Sequence, residues 1–216
     1  MNKTDLKLYA ITDRQWLHGA RLSEHVKLAI EGGATMIQIR DKDILSTDSD
    51  AGLKDEYNEA LEIKRICHEH KVPLIINDNV QFAIDIDADG VHLGQDDMNP
   101  AEARKLLGTD KIIGVTAKTV EQAKRAEADG ADYLGSGAVF GSTTKLNAKP
   151  MTKELLREIT AAVDIPVVAI GGINADNAVT LNGTGIAGIA VVGAIFASAD
   201  IKAATKELAE ICDKIQ

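Results

Sequence analysis

Eight short apolar runs, each followed by a longer amphipathic or polar stretch, restrict this chain more than any other feature it carries. They predict strands near Lys7–Thr12, Thr35–Arg40, Pro73–Asn77, Gly90–Leu93, Ile112–Ala117, Tyr133–Ser136, Pro166–Ile170 and Gly188–Val192. Between and after them the helical period predicts Ser23–Glu31, with Ser23 as its N-cap, then Lys54–His70, Pro100–Leu107 with Pro100 in the first turn, Thr119–Asp129, Thr152–Val163, Asn174–Leu181 and Ile201–Ile215. The stretch after Asn77 has room for only a short helix, and Met1 to Leu6 is read as leading straight into the first strand.

A weak internal echo supports the alternation: EGGATMIQI, DADGVHLG, ADGADYLG and TGIAGIAVV each set a glycine before an apolar strand. The glycine supplies a left-handed helix stop, and a strand apolar on both faces suits a parallel sheet covered by helices. Eight evenly spaced units favour a closed (βα)8 barrel, the TIM barrel, over a doubly wound open sheet of about six strands. A chain of 216 residues, 45% hydrophobic, can bury such a core, and one domain over 1–216 is the simpler reading.

A net charge of -9 and 3% aromatic residues argue against a nucleic-acid surface, and no stretch reads as a signal peptide or membrane span. The expected setting is the cytoplasm, and a homo-oligomer stays open. Cys67 and Cys212 lie far apart in helix-like segments, outside any CxxC pair, and read as packing residues. An anionic ligand would need cations concentrated locally against the overall charge.

In a barrel of this kind the chemistry sits at the carboxyl ends of the strands. Strand two ends QIRDK, with Gln38, Arg40 and Lys42 at alternate positions that share one face if the strand persists, or else form a solvated charge run. Strands three and four end in Asp78 and Asp97. Parallel neighbours lie about 4.8 Å apart, so two such carboxylates could share Mg²⁺ with substrate phosphates. Equally, Asp78 could cap the short helix that follows it and Asp97 the helix from Asn99.

Strand five offers Thr116 and Lys118, and a long loop after strand six, GSGAVFGSTTKLNAKP, carries Ser142, Thr143, Thr144 and Lys145. Its GxGxxxG spacing and the lack of GK[ST] make a nucleotide loop improbable, and its length suits a lid. Strands seven and eight end in AIGGIN and VVGAI, glycines placed where this fold tends to bind phosphate, or simply turn glycines. His92 sits within strand four, and no zinc pattern or activated nucleophile is present.

The ordered set QIRDK, INDN, ADGVHLGQDDM, IIGVTAKT, ADYLGSGAVFGSTTK, VAIGGI and GIAVVGAI, spread from Gln38 to Ile195, closely resembles the thiamine phosphate synthase family. The resemblance implies a transferase joining 4-amino-2-methyl-5-hydroxymethylpyrimidine diphosphate to 4-methyl-5-(2-hydroxyethyl)thiazole phosphate, with release of diphosphate. It implies pyrimidine diphosphate contacts at Gln38, Ile39, Arg40, Asp41, Lys42, Asn77, Thr116 and Lys145, with Arg40 and Lys145 as the catalytic cations. Asp78 and Asp97 match the Mg²⁺ ligands, and Ser142, Thr143, Thr144, Gly172, Val192 and Gly193 match the thiazole phosphate site. Thr116 and Lys118 stand where the family usually has Ser and His, Gly141 where Pro is usual, and Gly193 where Ser is common. A thiazole tautomerase is the near relative on this fold, but it needs no metal-bound diphosphate, so Asp78, Asp97, Arg40 and Lys145 together favour the synthase. A silent barrel that only binds a thiamine precursor is disfavoured by the same intact set.

Overall fold

The computed structural model describes residues 3–40, 50–141 and 150–215, the first four of the middle segment by backbone alone. Eight strands form one closed parallel barrel in sequence order: β1 (Leu8–Ile11), β2 (Met36–Ile39), β3 (Leu74–Asn77), β4 (Gly90–Leu93), β5 (Ile112–Thr116), β6 (Tyr133–Gly137), β7 (Val167–Ile170) and β8 (Gly188–Val191). The barrel closes where β1 pairs with β8, Leu8 beside Ile189 and Ala10 beside Val191. Outside it lie α1 (Leu22–Gly32), α2 (Asp50–Glu69), α3 (Val80–Asp85), α4 (Pro100–Leu107), α5 (Val120–Ala128), α6 (Lys153–Ala162), α7 (Gly193–Phe196) and α8 (Ile201–Cys212).

The strands are apolar on both faces because they serve two cores. Leu8, Ile37, Ile76, Val91, Ile113 and Ile189 point outward into the layer shared with the helices, while Tyr9, Ile11, Met36, Ile75, Tyr133 and Val168 fill the barrel interior. Period-two alternation therefore decides which residues can reach a ligand at the mouth. Cys67 and Cys212 are buried at helix positions, and burial pushes each thiol up to about 12, the state of an inert packing residue.

Strand expectations hold to within one residue at each end, and the helices differ in instructive ways. A 3-10 turn, Lys3–Leu6, precedes β1 in place of a direct entry. Ser23 is not the N-cap of α1. Arg21 takes that position, Ser23 lies buried in the first turn, and the Leu22 N–H is satisfied at 2.9 Å by Glu59 of α2. The core needs Leu22 inside the helix, and a distant carboxylate replaces the local cap. Asn174–Leu181 is not a helix but a turn followed by a short 3-10 segment, Ala178–Leu181. There the Asn174 side chain accepts from Asp176 and Asn177 N–H at 3.0 and 3.2 Å, a local bonding pattern that competes with helix formation. The run after β8, read as strand to Val192, turns instead into the single-turn helix α7.

Candidate active site

At the carboxyl ends of the strands the barrel opens into a cavity of about 390 Å³. Gln38 of β2 with Arg40 just past it, Asn77 at the end of β3, His92 of β4, and Thr116 of β5 with Lys118 beyond it line one side. Gly172, Val192 and Gly193, from the turns after β7 and β8, line the other. Each strand residue in this set occupies an inward position by register: Asn77 lies beside His92, His92 beside Gly114, and Thr116 beside Gly135.

Ile39 is placed differently from its neighbours. It faces the helix layer, 3% exposed, so only its backbone lies near the mouth. Arg40 N–H donates to Thr12 Oγ1 at 3.1 Å, and its guanidinium lies 3.8 Å from the Asp13 carboxylate, which itself accepts from the Gln15 amide. These contacts hold the cation at the rim. Asp41, Lys42, Ser142, Thr143, Thr144 and Lys145 lie outside the described residues.

The two aspartates are bound into the turns after β3 and β4. Asp78 has a left-handed backbone, φ 62°, fixed by its N–H donating to the His92 carbonyl at 2.8 Å, and its Oδ2 accepts from Asn77 Nδ2 at 2.6 Å. A non-glycine residue held in this region is a local strain that the surroundings must enforce. Asp97 Oδ2 accepts from Gly94 N–H at 2.6 Å and lines a small separate depression of about 70 Å³, and neither Asp97 nor Asp78 is among the residues that line the main cavity. Neither aspartate caps a helix, since Asn79 caps α3 and Asn99 caps α4 through their own side chains. Among the described residues, no group of three or more His, Cys, Asp or Glu could hold a metal.

Two tyrosines of the barrel interior that the sequence reading did not single out, Tyr9 and Tyr133, join Gln38 and His92. Gln38 Nε2 donates to Tyr9 Oη at 2.6 Å, and Tyr9 Oη lies 2.8 Å from Tyr133 Oη. Tyr133 Oη is 3.0 Å from His92 Nδ1, and His92 Nε2 is 3.0 Å from Thr116 Oγ1. Burial holds both tyrosine hydroxyls far above the ordinary range, so they stay protonated. Gly114 makes room for this arrangement: a Cβ there would stand 2.1 Å from Tyr133 Cζ. The sequence carries no clear signal for the two tyrosines, since the inward phase of β1 and β6 is known only once the register is.

Across the mouth, Gly171 and Gly172 run with φ 102° and 65°, and a Cβ on Gly172 would meet the Phe140 carbonyl at 2.6 Å. Only glycine lets the turn after β7 lie against the backbone that leaves β6. Asn177 Nδ2 holds this turn by donating to the Gly172 carbonyl at 2.9 Å.

A closed (βα)8 barrel with a cationic rim, a polar floor and glycine turns gathered at its carboxyl-end mouth has the form of a barrel enzyme. A profile of thiamine monophosphate synthases matches residues 8–195. Thiamine-phosphate synthase of Ruminiclostridium cellulolyticum is 48% identical over 210 residues, 97% of either chain, and that of Methanobrevibacter smithii is 43% identical over 208 residues, 96% of either chain. The solved thiamine phosphate pyrophosphorylase of Pyrococcus furiosus superposes with a TM-score of 0.86 at 39% identity, covering 98% of both chains. The chain belongs to the thiamine monophosphate synthase family, and is a transferase of that type.

Proposed function

We propose that the cavity joins 4-amino-2-methyl-5-hydroxymethylpyrimidine diphosphate to 4-methyl-5-(2-hydroxyethyl)thiazole phosphate. The observation that carries this reading is the convergence of Gln38, Arg40, Asn77 and Thr116 with Gly172, Val192 and Gly193 on one cavity, two groups that the family resemblance gives to two different substrates. Gln38, Asn77 and Thr116 bind and orient the pyrimidine side, and the backbone at Gly172, Val192 and Gly193 takes the thiazole phosphate. Lys42, Lys145 and Ser142 to Thr144 join these sites on the strength of the resemblance alone.

The chemistry follows from the residue types. The C–O bond to diphosphate breaks first, and the resulting pyrimidine methyl cation is stabilised by the ring amino group. Negative charge grows on the departing diphosphate, and Arg40 and Lys145 stabilise that charge. The thiazole nitrogen then attacks the methyl carbon, a step that needs no strong protein base. Lys118 adds a further cation to the same wall of the cavity.

Mg²⁺ fits the donor set. Asp78 and Asp97 offer hard oxygen ligands, each carboxylate is braced by an N–H donor, and neither is needed as a helix cap. When bound, the ion would neutralise diphosphate charge, with substrate oxygens and water completing its shell. The same reading takes the chain as one domain acting in the cytoplasm. Purified protein mixed with both substrates and Mg²⁺ should form thiamine phosphate and diphosphate in equal amounts. Turnover of neither substrate would refute the assignment.

A further inference from the structure

The turn after β7 presents its backbone to the cavity in one orientation, and that orientation is imposed from behind. We propose that Asn177 is a positioning residue for the phosphate of the thiazole substrate, holding the Gly172 carbonyl away from the mouth so that the N–H groups of Gly172 and Ile173 face the anion.

Two consecutive carbonyls of the turn are held by donors. Gly171 O accepts from Phe140 N–H at 3.0 Å, and Gly172 O accepts from Asn177 Nδ2 at 2.9 Å. Gly171, Gly172 and Ile173 line the cavity, whereas Phe140 and Asn177 are not among its lining residues. Both carbonyls are therefore drawn away from the ligand space. The Gly171–Gly172 and Gly172–Ile173 peptides are trans, and in a trans peptide the N–H points opposite to the C=O. The N–H of Gly172 and that of Ile173 are thus turned to the cavity side, and successive amides arranged this way make an anion-binding concavity.

The orientation of the Asn177 amide is fixed by its backbone partners. Its Oδ1 accepts from Asn174 N–H at 3.0 Å while its Nδ2 meets a carbonyl, so exchanging the two atoms would set donor against donor and acceptor against acceptor. The brace is itself held, since Asn174 Oδ1 accepts from Asn177 N–H at 3.2 Å and Thr180 Oγ1 donates to the Asn177 carbonyl at 2.7 Å. The need for it lies in the glycines. With φ of 102° and 65°, Gly171 and Gly172 have the backbone freedom to let the Gly172–Ile173 peptide turn over, which would set a carbonyl dipole against a phosphate oxygen. Asn177 removes that alternative. It acts through Gly172, and the inference rests on the reading above that places the thiazole phosphate at Gly172, Val192 and Gly193.

The test compares two substitutions in one segment. Asn177→Ser keeps an oxygen near Asn174 N–H but is too short to hold the Gly172 carbonyl. It should raise the KM for the thiazole phosphate about tenfold, leaving the KM for the pyrimidine diphosphate within about twofold. Thr180→Val removes a hydrogen bond of the same segment that does not reach Gly172, and both KM values should stay within about twofold of wild type. Wild-type KM values in Asn177→Ser would overturn the proposal, and so would an equal rise in Thr180→Val, which would mark a general loosening of the segment. A further measurement needs no turnover. In ¹⁵N-labelled wild-type protein, inorganic phosphate should shift the backbone amide resonances of Gly172 and Ile173. Phosphate that leaves both amides unmoved would overturn the proposal even where Asn177→Ser does not fold. Failure of wild-type protein to form thiamine phosphate would instead refute the proposed function, and the amide shifts would still decide whether the turn offers its N–H groups to a phosphate.

Discussion

At Thr116 the methyl and the hydroxyl can be separated by substitution. Thr116→Ser keeps the hydroxyl within reach of His92 and restores the residue usual in the family, so its kinetics should stay near wild type. Thr116→Val keeps the shape and leaves His92 Nε2 facing a methyl group, which should cost about 1–3 kcal/mol in kcat/KM for the pyrimidine diphosphate. Equal kinetics for the Val variant would remove Thr116 from the site. The aspartates give a second measurement. With the helix caps assigned to Asn79 and Asn99, Asp78→Asn and Asp97→Asn should leave the adjacent helices intact by circular dichroism. Turnover should nevertheless fall and the Mg²⁺ concentration for half-maximal rate should rise. Wild-type rates at limiting Mg²⁺ in both variants would end the metal assignment.

Among the elements, the start of α1 depends on a residue of α2. Glu59 Oε1 accepts from Leu22 N–H at 2.9 Å while Oε2 pairs with Arg14 at 3.1 Å, and the side chain is 12% exposed. Glu59→Ala should destabilise the protein by about 1–2 kcal/mol, roughly the value of a lost cap. For a chain of this size that lowers the melting temperature by about 2–8 °C, which calorimetry would resolve. Strands were legible because each is a short apolar run fenced by turn residues, as at Gly90–Leu93. Helix starts were less so: Asn99 and Thr119 cap as their residue types suggest, but α1 uses Glu59 from a helix that follows it by many residues. The cavity lining was legible where it lies at or just past a strand end, as with Gln38, Arg40, Asn77 and Thr116. Tyr9 and Tyr133 were not legible, because strands apolar on both faces do not reveal which residues point inward until their register is known.

Across the whole molecule, charge couples the barrel's periphery through Asp87. Lys111, before β5, donates to Asp87 at 2.5 Å and Lys64 of α2 at 2.9 Å, and these bonds bring the carboxyl down to about 2. A carboxyl lowered on folding stabilises the native state above its unfolded value near 3.8, and that contribution is lost as pH falls toward 2. Because the Asp87 side chain is 72% exposed, screening keeps the effect small. Urea melts of wild type and Asp87→Asn should therefore differ near neutrality and converge below about pH 2. A constant difference across that range would show that the Lys64 and Lys111 pairs do not govern it.

The seam between β1 and β8 lets the chain be cut elsewhere. Lys7, just before β1, forms an ion pair with Asp213, just after α8, so the two ends of the described chain lie side by side on the outside of the barrel. A ring of strands has no privileged first member, since every strand already has two neighbours. Joining the ends with a few glycine and serine residues and opening the chain at the exposed Gly108–Asp110 turn should give a rearranged order, β5 to β8 followed by β1 to β4, with the same cavity. Such a permutant should melt cooperatively and convert the same substrates, since all groups that meet at the mouth arrive from strands whose neighbours are unchanged.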